Sequence, residues 1–71
     1  MSDMVKRSEV ISRIEDKILE LRESADRYWK MAEKIHESGD PDTADKYYVR
    51  EMEMISKTVM LGFLIQDIES L

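Results

Sequence analysis

Cysteine is absent from this chain of 71 residues, and proline, glycine and aromatic residues are scarce. Without cysteine the chain has neither a disulfide framework nor a thiolate metal site, the usual reinforcements of very small folds. The longest uninterrupted apolar run spans residues 59–65, whereas a membrane-spanning helix needs roughly 20 apolar residues. The polar N-terminal segment also lacks the apolar core of a signal peptide. We therefore expect one small cytoplasmic domain over residues 1–71, with no membrane segment.

Basic residues are the minority among the charged residues. Lys and Arg number 11 against 16 Asp and Glu, which gives a net charge of −5. An acidic chain repels the phosphates of nucleic acids and anionic lipids unless it carries a local basic patch. The overall charge therefore disfavours nucleic acid and membrane surfaces as partners and leaves other proteins as the expected ones.

The only cluster of helix-breaking residues lies at positions 38–42. Gly39 is suited to the positive φ that ends a helix, and Asp40 followed by Pro41 matches an N-cap with proline at the first helical position. This pattern predicts a first helix over about residues 3–37, a turn at 38–40 and a second helix over about 41–71.

Apolar residues recur at alternating spacings of three and four in both predicted helices, which is the heptad pattern of packed helices. In the first helix this seam consists of Ile11, Ile14, Ile18, Leu21, Ala25, Tyr28, Ala32 and Ile35. In the second helix it is assigned to Ala44, Tyr48, Met52, Ile55, Val59, Gly62, Ile65 and Ile68. A chain that folds back at Gly39 would place Ala25 opposite Ile55 and Ile18 opposite Gly62. Small residues would then face large ones, as interdigitated packing requires. The fold class is predicted as an all-α, antiparallel two-helix hairpin.

The second helix carries more apolar residues than one seam can bury. Around residues 59–65 it is apolar on nearly every side, as is typical of a helix surrounded by other helices. A hairpin of this size also encloses little core of its own. We therefore expect a homodimer that completes a four-helix bundle, or a higher homo-oligomer; the rival is a bundle completed by a different protein. The predicted self-association residues are Met54, Met60, Leu61, Phe63, Leu64 and Ile68.

Two aromatic residues beside the seam are candidate anchors for another protein. Trp29 and Tyr47 lie near the turn, and both residue types are enriched among the residues that dominate binding energy at interfaces. The alternative is that they simply widen the core.

Basic residues recur at one heptad position of the first helix: Lys6, Arg13, Arg27 and Lys34. Such a stripe on a helical hairpin is a candidate surface for structured RNA. A neighbouring stripe is largely acidic, so ordinary four-apart surface ion pairs explain the same residues.

Candidate metal ligands are few. Glu33 and His36 have the Glu-x-x-His spacing of carboxylate-bridged metal bundles, but the further inward-facing carboxylates of such a site are missing. Asp40, Asp42 and Asp45 lack the glycine and bidentate glutamate of an EF-hand and are explained by helix capping. We expect no metal and no cofactor.

No nucleophile–base pair and no phosphate-binding loop is recognisable in the sequence, so an enzyme is not expected. We interpret the chain as a self-associating helical hairpin that acts as a small protein–protein interaction or regulatory module. Three alternatives stay open: a small RNA- or DNA-binding regulator that uses the basic stripe, an acidic inhibitor of a host or defence enzyme, and a metal-binding helical bundle.

Overall fold

A computed structural model describes residues 2–71, with side chains described from residue 6 onward. It contains helix α1, Ser2–Glu37, and helix α2, Pro41–Glu69. The two helices pack against each other along their length, and no strand occurs within residues 2–71. The predicted all-α hairpin of two helices is therefore confirmed.

The turn between the helices is a Schellman motif, in which backbone donors beyond the helix satisfy carbonyls of its last turn. The Gly39 N–H donates to the His36 carbonyl at 3.1 Å, and the Asp40 N–H donates to the Ile35 carbonyl at 3.3 Å. Gly39 has a φ of 90°, a conformation that a side chain makes costly. The role predicted for Gly39 is confirmed.

The first turn of α2 is capped by Asp40. Its Oδ1 accepts a hydrogen bond from the Thr43 backbone N–H at 3.2 Å, and Pro41 occupies the first helical position. Hydrogen bonding from the Thr43 side chain and from its backbone N–H holds the pKa of Asp40 below its ordinary value of 3.8, because both bonds favour the ionised carboxylate. The capping role predicted from the sequence is confirmed.

Asp40→Ala is expected to lower the melting temperature at neutral pH, because it leaves an N–H of the first turn of α2 without its partner. The folded pKa lies below the unfolded one, so the ionised cap contributes fully above pH 3.8 and loses its contribution as the pH falls through the folded pKa. The difference between wild type and Asp40→Ala should therefore shrink in acid. Asp40→Asn, which still accepts the bond, is the matched control and should stay close to wild type at neutral pH. Thermal unfolding followed by circular dichroism measures all three, and equal neutral-pH melting of wild type and Asp40→Ala would refute the cap.

The interface between the helices is built on three alanines. Among residues 6–71, Ala25, Ala32 and Ala44 are the buried apolar side chains, and the last two are 0% exposed. Larger apolar side chains continue this interface along both helices and are half-buried. In α1 these are Ile11, Ile14, Ile18, Leu21, Tyr28 and Ile35. In α2 they are Tyr47, Tyr48, Met54, Leu61, Ile65 and Ile68.

The seam predicted for α1 is confirmed at every position, but the seam predicted for α2 is partly wrong. Met52 and Val59 are 64% and 52% exposed, and Ile55 is exposed as well. The positions that turn inward instead are half-buried Glu51 and Thr58. Because both residues are polar, apolar periodicity does not reveal that they face inward. The Thr58 hydroxyl donates a hydrogen bond to the Ile55 carbonyl at 2.6 Å.

Gly62 does not serve the close helix approach that the sequence suggested. A Cβ built on Gly62 would meet no atom within 4 Å beyond the neighbouring residues and backbone of its own helix, so Ile18 does not press against it. Within the single chain this glycine costs α2 stability without a packing benefit in return.

The two glycines should therefore respond to alanine in opposite directions. Gly39→Ala is expected to destabilise the fold by about 1 kcal/mol, because an L side chain is strained at positive φ. Gly62→Ala is expected to stabilise it by roughly 0.5–1 kcal/mol through better helix propensity. Denaturant unfolding at fixed protein concentration measures both. Destabilisation by Gly62→Ala would contradict the open surroundings of this glycine and indicate a neighbour that the single chain lacks.

The hairpin is a rod. Its Cα extents are 58 × 15 × 10 Å and its radius of gyration is 16.5 Å, compared with about 11 Å for a compact domain of this length. Both helices consequently expose one whole side to solvent along most of their length.

Candidate interaction surfaces

A groove runs along one side of the line of contact between α1 and α2, and we call it the Trp29 groove. It is lined by Arg22, Ala25, Asp26, Trp29, Glu51, Ile55, Thr58 and Val59. Past Arg22 it continues along Glu15, Asp16, Ile18, Leu19 and Ile65. Trp29 and Leu19 of α1, and Ile55 and Val59 of α2, are its exposed apolar side chains. The groove therefore offers apolar contacts from both helices.

Carboxylates dominate the rims of the Trp29 groove. Among the described residues that line it, Arg22 is the single base, while the acids are Glu15, Asp16, Asp26 and Glu51. At the turn end of the same side, loss of hydration and the carboxylates of Glu33, Asp45 and Glu51 raise the pKa of Tyr48. This side of the hairpin is both apolar and acidic.

The opposite side of the hairpin is basic. One depression is lined by Tyr28, Thr43, Lys46, Tyr47 and Arg50. A second is lined by Lys17, Leu21, Lys57, Met60 and Leu61. Helical geometry places these residues across the seam from the Trp29 groove. We call the surface formed by Lys17, Lys46, Arg50 and Lys57 the basic side; charge is thus segregated across the rod.

The two predicted partner anchors lie on different sides. Tyr47 packs on Tyr28, with ring centroids 6.4 Å apart and planes tilted by 38°, and it is half-buried. Trp29 is 46% exposed in its groove. Of the two, Trp29 presents the more accessible aromatic surface to a partner.

The predicted self-association residues divide into two groups. Met60, Phe63 and Leu64 are exposed and share one surface depression with Leu61 and Asp67. We call Met60, Phe63 and Leu64 the C-terminal cluster. Met54, Leu61 and Ile68 are half-buried instead and lie along the seam side of α2, so their apolar surface is already partly used within the chain.

The basic residues of the predicted stripe are all exposed. Arg27 donates to the Ser24 hydroxyl at 3.1 Å. Helical geometry places Arg13 beside Lys17 at the edge of the basic side. The ion pairs among the described side chains are Lys17 with Glu20 at 3.4 Å and Lys30 with Asp26 at 3.0 Å, both exposed and of little energetic weight.

His36 is exposed in the last turn of α1, and Glu33 is half-buried. Over the residues whose placement is described, no three His, Cys, Asp or Glu side chains converge as a metal site would require. Likewise, neither helix, as far as it is described, combines sufficient length with sufficient apolar character to cross a bilayer.

Sequence reasoning missed the Trp29 groove as a surface. It named Trp29 but assigned Ile55 and Val59 to the intramolecular seam, where they are not found. The sequence did contain one indication of such a surface. Helix α2 carries two apolar stripes, and because only one of them can face α1, the other must lie outside the contact between the helices.

Comparison with known proteins gives no relative for this chain. It matches no protein-family model, no curated protein and no solved structure.

Proposed function

We propose that this protein is a non-enzymatic interaction module that pairs with a second copy of itself through the C-terminal cluster. The observation that supports the proposal best is the amount of surface that the hairpin leaves exposed. The chain exposes 5727 Å², whereas a compact protein of 8.4 kDa exposes about 4,600 Å². The excess of about 1,100 Å² per chain is more than the roughly 800 Å² that each partner buries in a standard interface.

The C-terminal cluster is the part of this surface best suited to a second copy. Met60, Phe63 and Leu64 adjoin one another, and each gives about 1.5–3 kcal/mol on full burial. A two-fold axis near Phe63 would use every one of these contacts twice. Two hairpins joined in this way bring α2 against α2, so the assembly contains the four helices that the predicted bundle requires.

The test is the mass of the purified protein in solution. Size-exclusion chromatography with light scattering, run over a concentration series, should give twice 8.4 kDa at high concentration and a return towards the monomer only on strong dilution. A chain that remains monomeric at every concentration would refute self-association.

A second candidate function, nucleic-acid binding, is favoured by one observation. Cations from both helices, Lys17 from α1 and Lys46, Arg50 and Lys57 from α2, lie on the same side of the rod. Such a surface would bind a phosphate backbone with an affinity that falls steeply with salt. Titration of a labelled RNA hairpin at low and high salt distinguishes this function, with Lys30→Glu as a control away from the basic side.

A further inference from the structure

We propose that the Trp29 groove is a docking site for a basic amphipathic helix of a different protein. This inference rests on the proposed role as an interaction module and specifies the chemistry of a partner. It uses a surface other than the C-terminal cluster, so self-association and docking are separable. The shape of the groove, its apolar residues and the sign of its charges support it.

The shape suits a helix. Two antiparallel helices leave a trough beside their line of contact, and a third helix packs there in helical bundles. From Leu19 to Trp29, α1 rises by about 15 Å, which matches about three turns of a docked helix. Ile55 and Val59 face the same trough from α2, so apolar residues spaced three and four apart on the partner would meet apolar residues from both walls.

The charges select the partner. Glu15, Asp16, Asp26 and Glu51 line the groove against the single base Arg22, and the nearby Lys30 partly offsets Asp26 at 3.0 Å. The net charge of the residues that line the groove remains negative. Lysines or arginines flanking the apolar stripe of a partner helix would find complementary charges on these rims, which favours fast and selective association.

The same charges argue against a second copy as the occupant. Face-to-face pairing of two Trp29 grooves would bring their carboxylate rims together. Docking of the basic side of one copy into the groove of the next joins two different surfaces, and such a contact builds a ring or a growing chain of molecules rather than a two-fold dimer. A helix of a different protein can supply both the apolar contacts and the complementary charges. It does so without bringing two carboxylate rims together and without linking copies of the chain.

Synthetic peptides of about 18 residues, long enough for the five turns of a free amphipathic helix, provide the probe. The first carries leucines on one face with flanking lysines, the second replaces every lysine by glutamate, and the third scrambles the first. None contains tryptophan, so Trp29, the only tryptophan of the chain, reports on its own burial. The lysine peptide should shift Trp29 emission to shorter wavelength and bind at least about tenfold more tightly than the other two, a difference of about 1.4 kcal/mol.

Matched variants of the protein identify the surface. Val59→Lys should weaken the lysine peptide about tenfold or more, because it places a like charge in the groove. Val49→Lys is the control, since Val49 is 53% exposed on the same helix, much like Val59 at 52%, and does not line the groove. It should bind within about twofold of wild type.

Charge reversal separates local complementarity from net charge. Asp16→Lys combined with Asp26→Lys should reverse the preference towards the glutamate peptide. Glu20→Lys combined with Glu53→Lys changes the net charge equally outside the groove lining and should preserve the preference for lysine.

The outcomes are decisive in combination with light scattering. A lysine-peptide complex that obeys these variants supports docking when the peptide leaves the oligomeric state of the hairpin unchanged. A hairpin that is monomeric both with and without the peptide would refute only self-association. Equal binding of the lysine and glutamate peptides, or indifference to Val59→Lys, would overturn docking. So would a peptide that binds only by dissociating a dimer, because a second copy would then be the occupant of the groove.

Discussion

Phe63→Glu is expected to abolish self-association. Phe63 is 60% exposed in the hairpin, so the substitution removes little burial within the single chain. At a two-fold interface it removes two phenylalanines, whose exposed surface is worth roughly 2–4 kcal/mol together on the scale of buried apolar area. It also brings two carboxylates into an apolar contact. The dissociation constant should rise by at least about a hundredfold, since every 1.4 kcal/mol is a factor of ten.

The matched control for this experiment is Val49→Glu. Val49 lies fourteen residues before Phe63, at the same heptad position of α2, and is 53% exposed. Its neighbours along the helix include Asp45, Lys46 and Glu53 rather than a cluster of large apolar side chains. Light scattering should find Val49→Glu dimeric and Phe63→Glu monomeric at the same concentration. Loss of the dimer in both variants would place the interface along the whole outer face of α2 instead of at its C-terminal end.

The fold of this chain follows from local signals that agree with one another. Gly39, Asp40 and Pro41 each specify a different part of the turn. The hydrogen bonds at the turn agree with the predicted roles of Gly39 as the residue that ends α1 and of Asp40 as the N-cap of α2. In α1 the apolar seam is easier to recognise, because it continues over eight positions without a gap and because Ile14 and Leu21 each stand between two charged residues. Where only one stripe is apolar, only one packing is available.

The inward face of α2 is ambiguous in the sequence, because this helix carries two apolar stripes. The stripe through Met52 and Val59 is the more apolar one in sequence, yet the stripe through Met54 and Leu61 turns towards α1. Inward-facing Glu51 and Thr58 interrupt the second stripe with polar side chains. Both remain only half-buried, so a carboxylate at the edge of a two-helix interface keeps contact with water and avoids the desolvation cost of a closed core.

The candidate surfaces were therefore predictable only in part. An excess of apolar residues on α2 indicated a partner, and Phe63 and Leu64 are exposed as that idea requires. The Trp29 groove was not predictable, because it depends on which of Ile55 and Met54 faces α1. The segregation of charge has the same origin: acids and bases are interspersed along the sequence, and the orientation of each helix decides on which side of the rod most of them lie.

Replacing Ala32 with leucine is expected to have the largest effect on the hairpin itself. Ala32 is 0% exposed and lies two turns from the Schellman motif, where the connection keeps the helices close together. A leucine has three more carbon atoms, and at a tightly packed position such overpacking costs about 1–3 kcal/mol. The helices would have to separate next to the turn, which would also disturb the contact between Tyr28 and Tyr47.

Glu23→Leu is the control, since it introduces the same side chain at an exposed position of α1. Thermal unfolding at one fixed protein concentration, which keeps the linkage to self-association constant, should show a clear loss of stability for Ala32→Leu and little change for Glu23→Leu. Near-ultraviolet circular dichroism should report a changed tyrosine environment only in the first. If both variants melt like wild type, the helices are held too far apart at Ala32 for alanine to be required. The stability of the rod would then come from its half-buried isoleucines and tyrosines rather than from the close approach of the helices at the buried alanines.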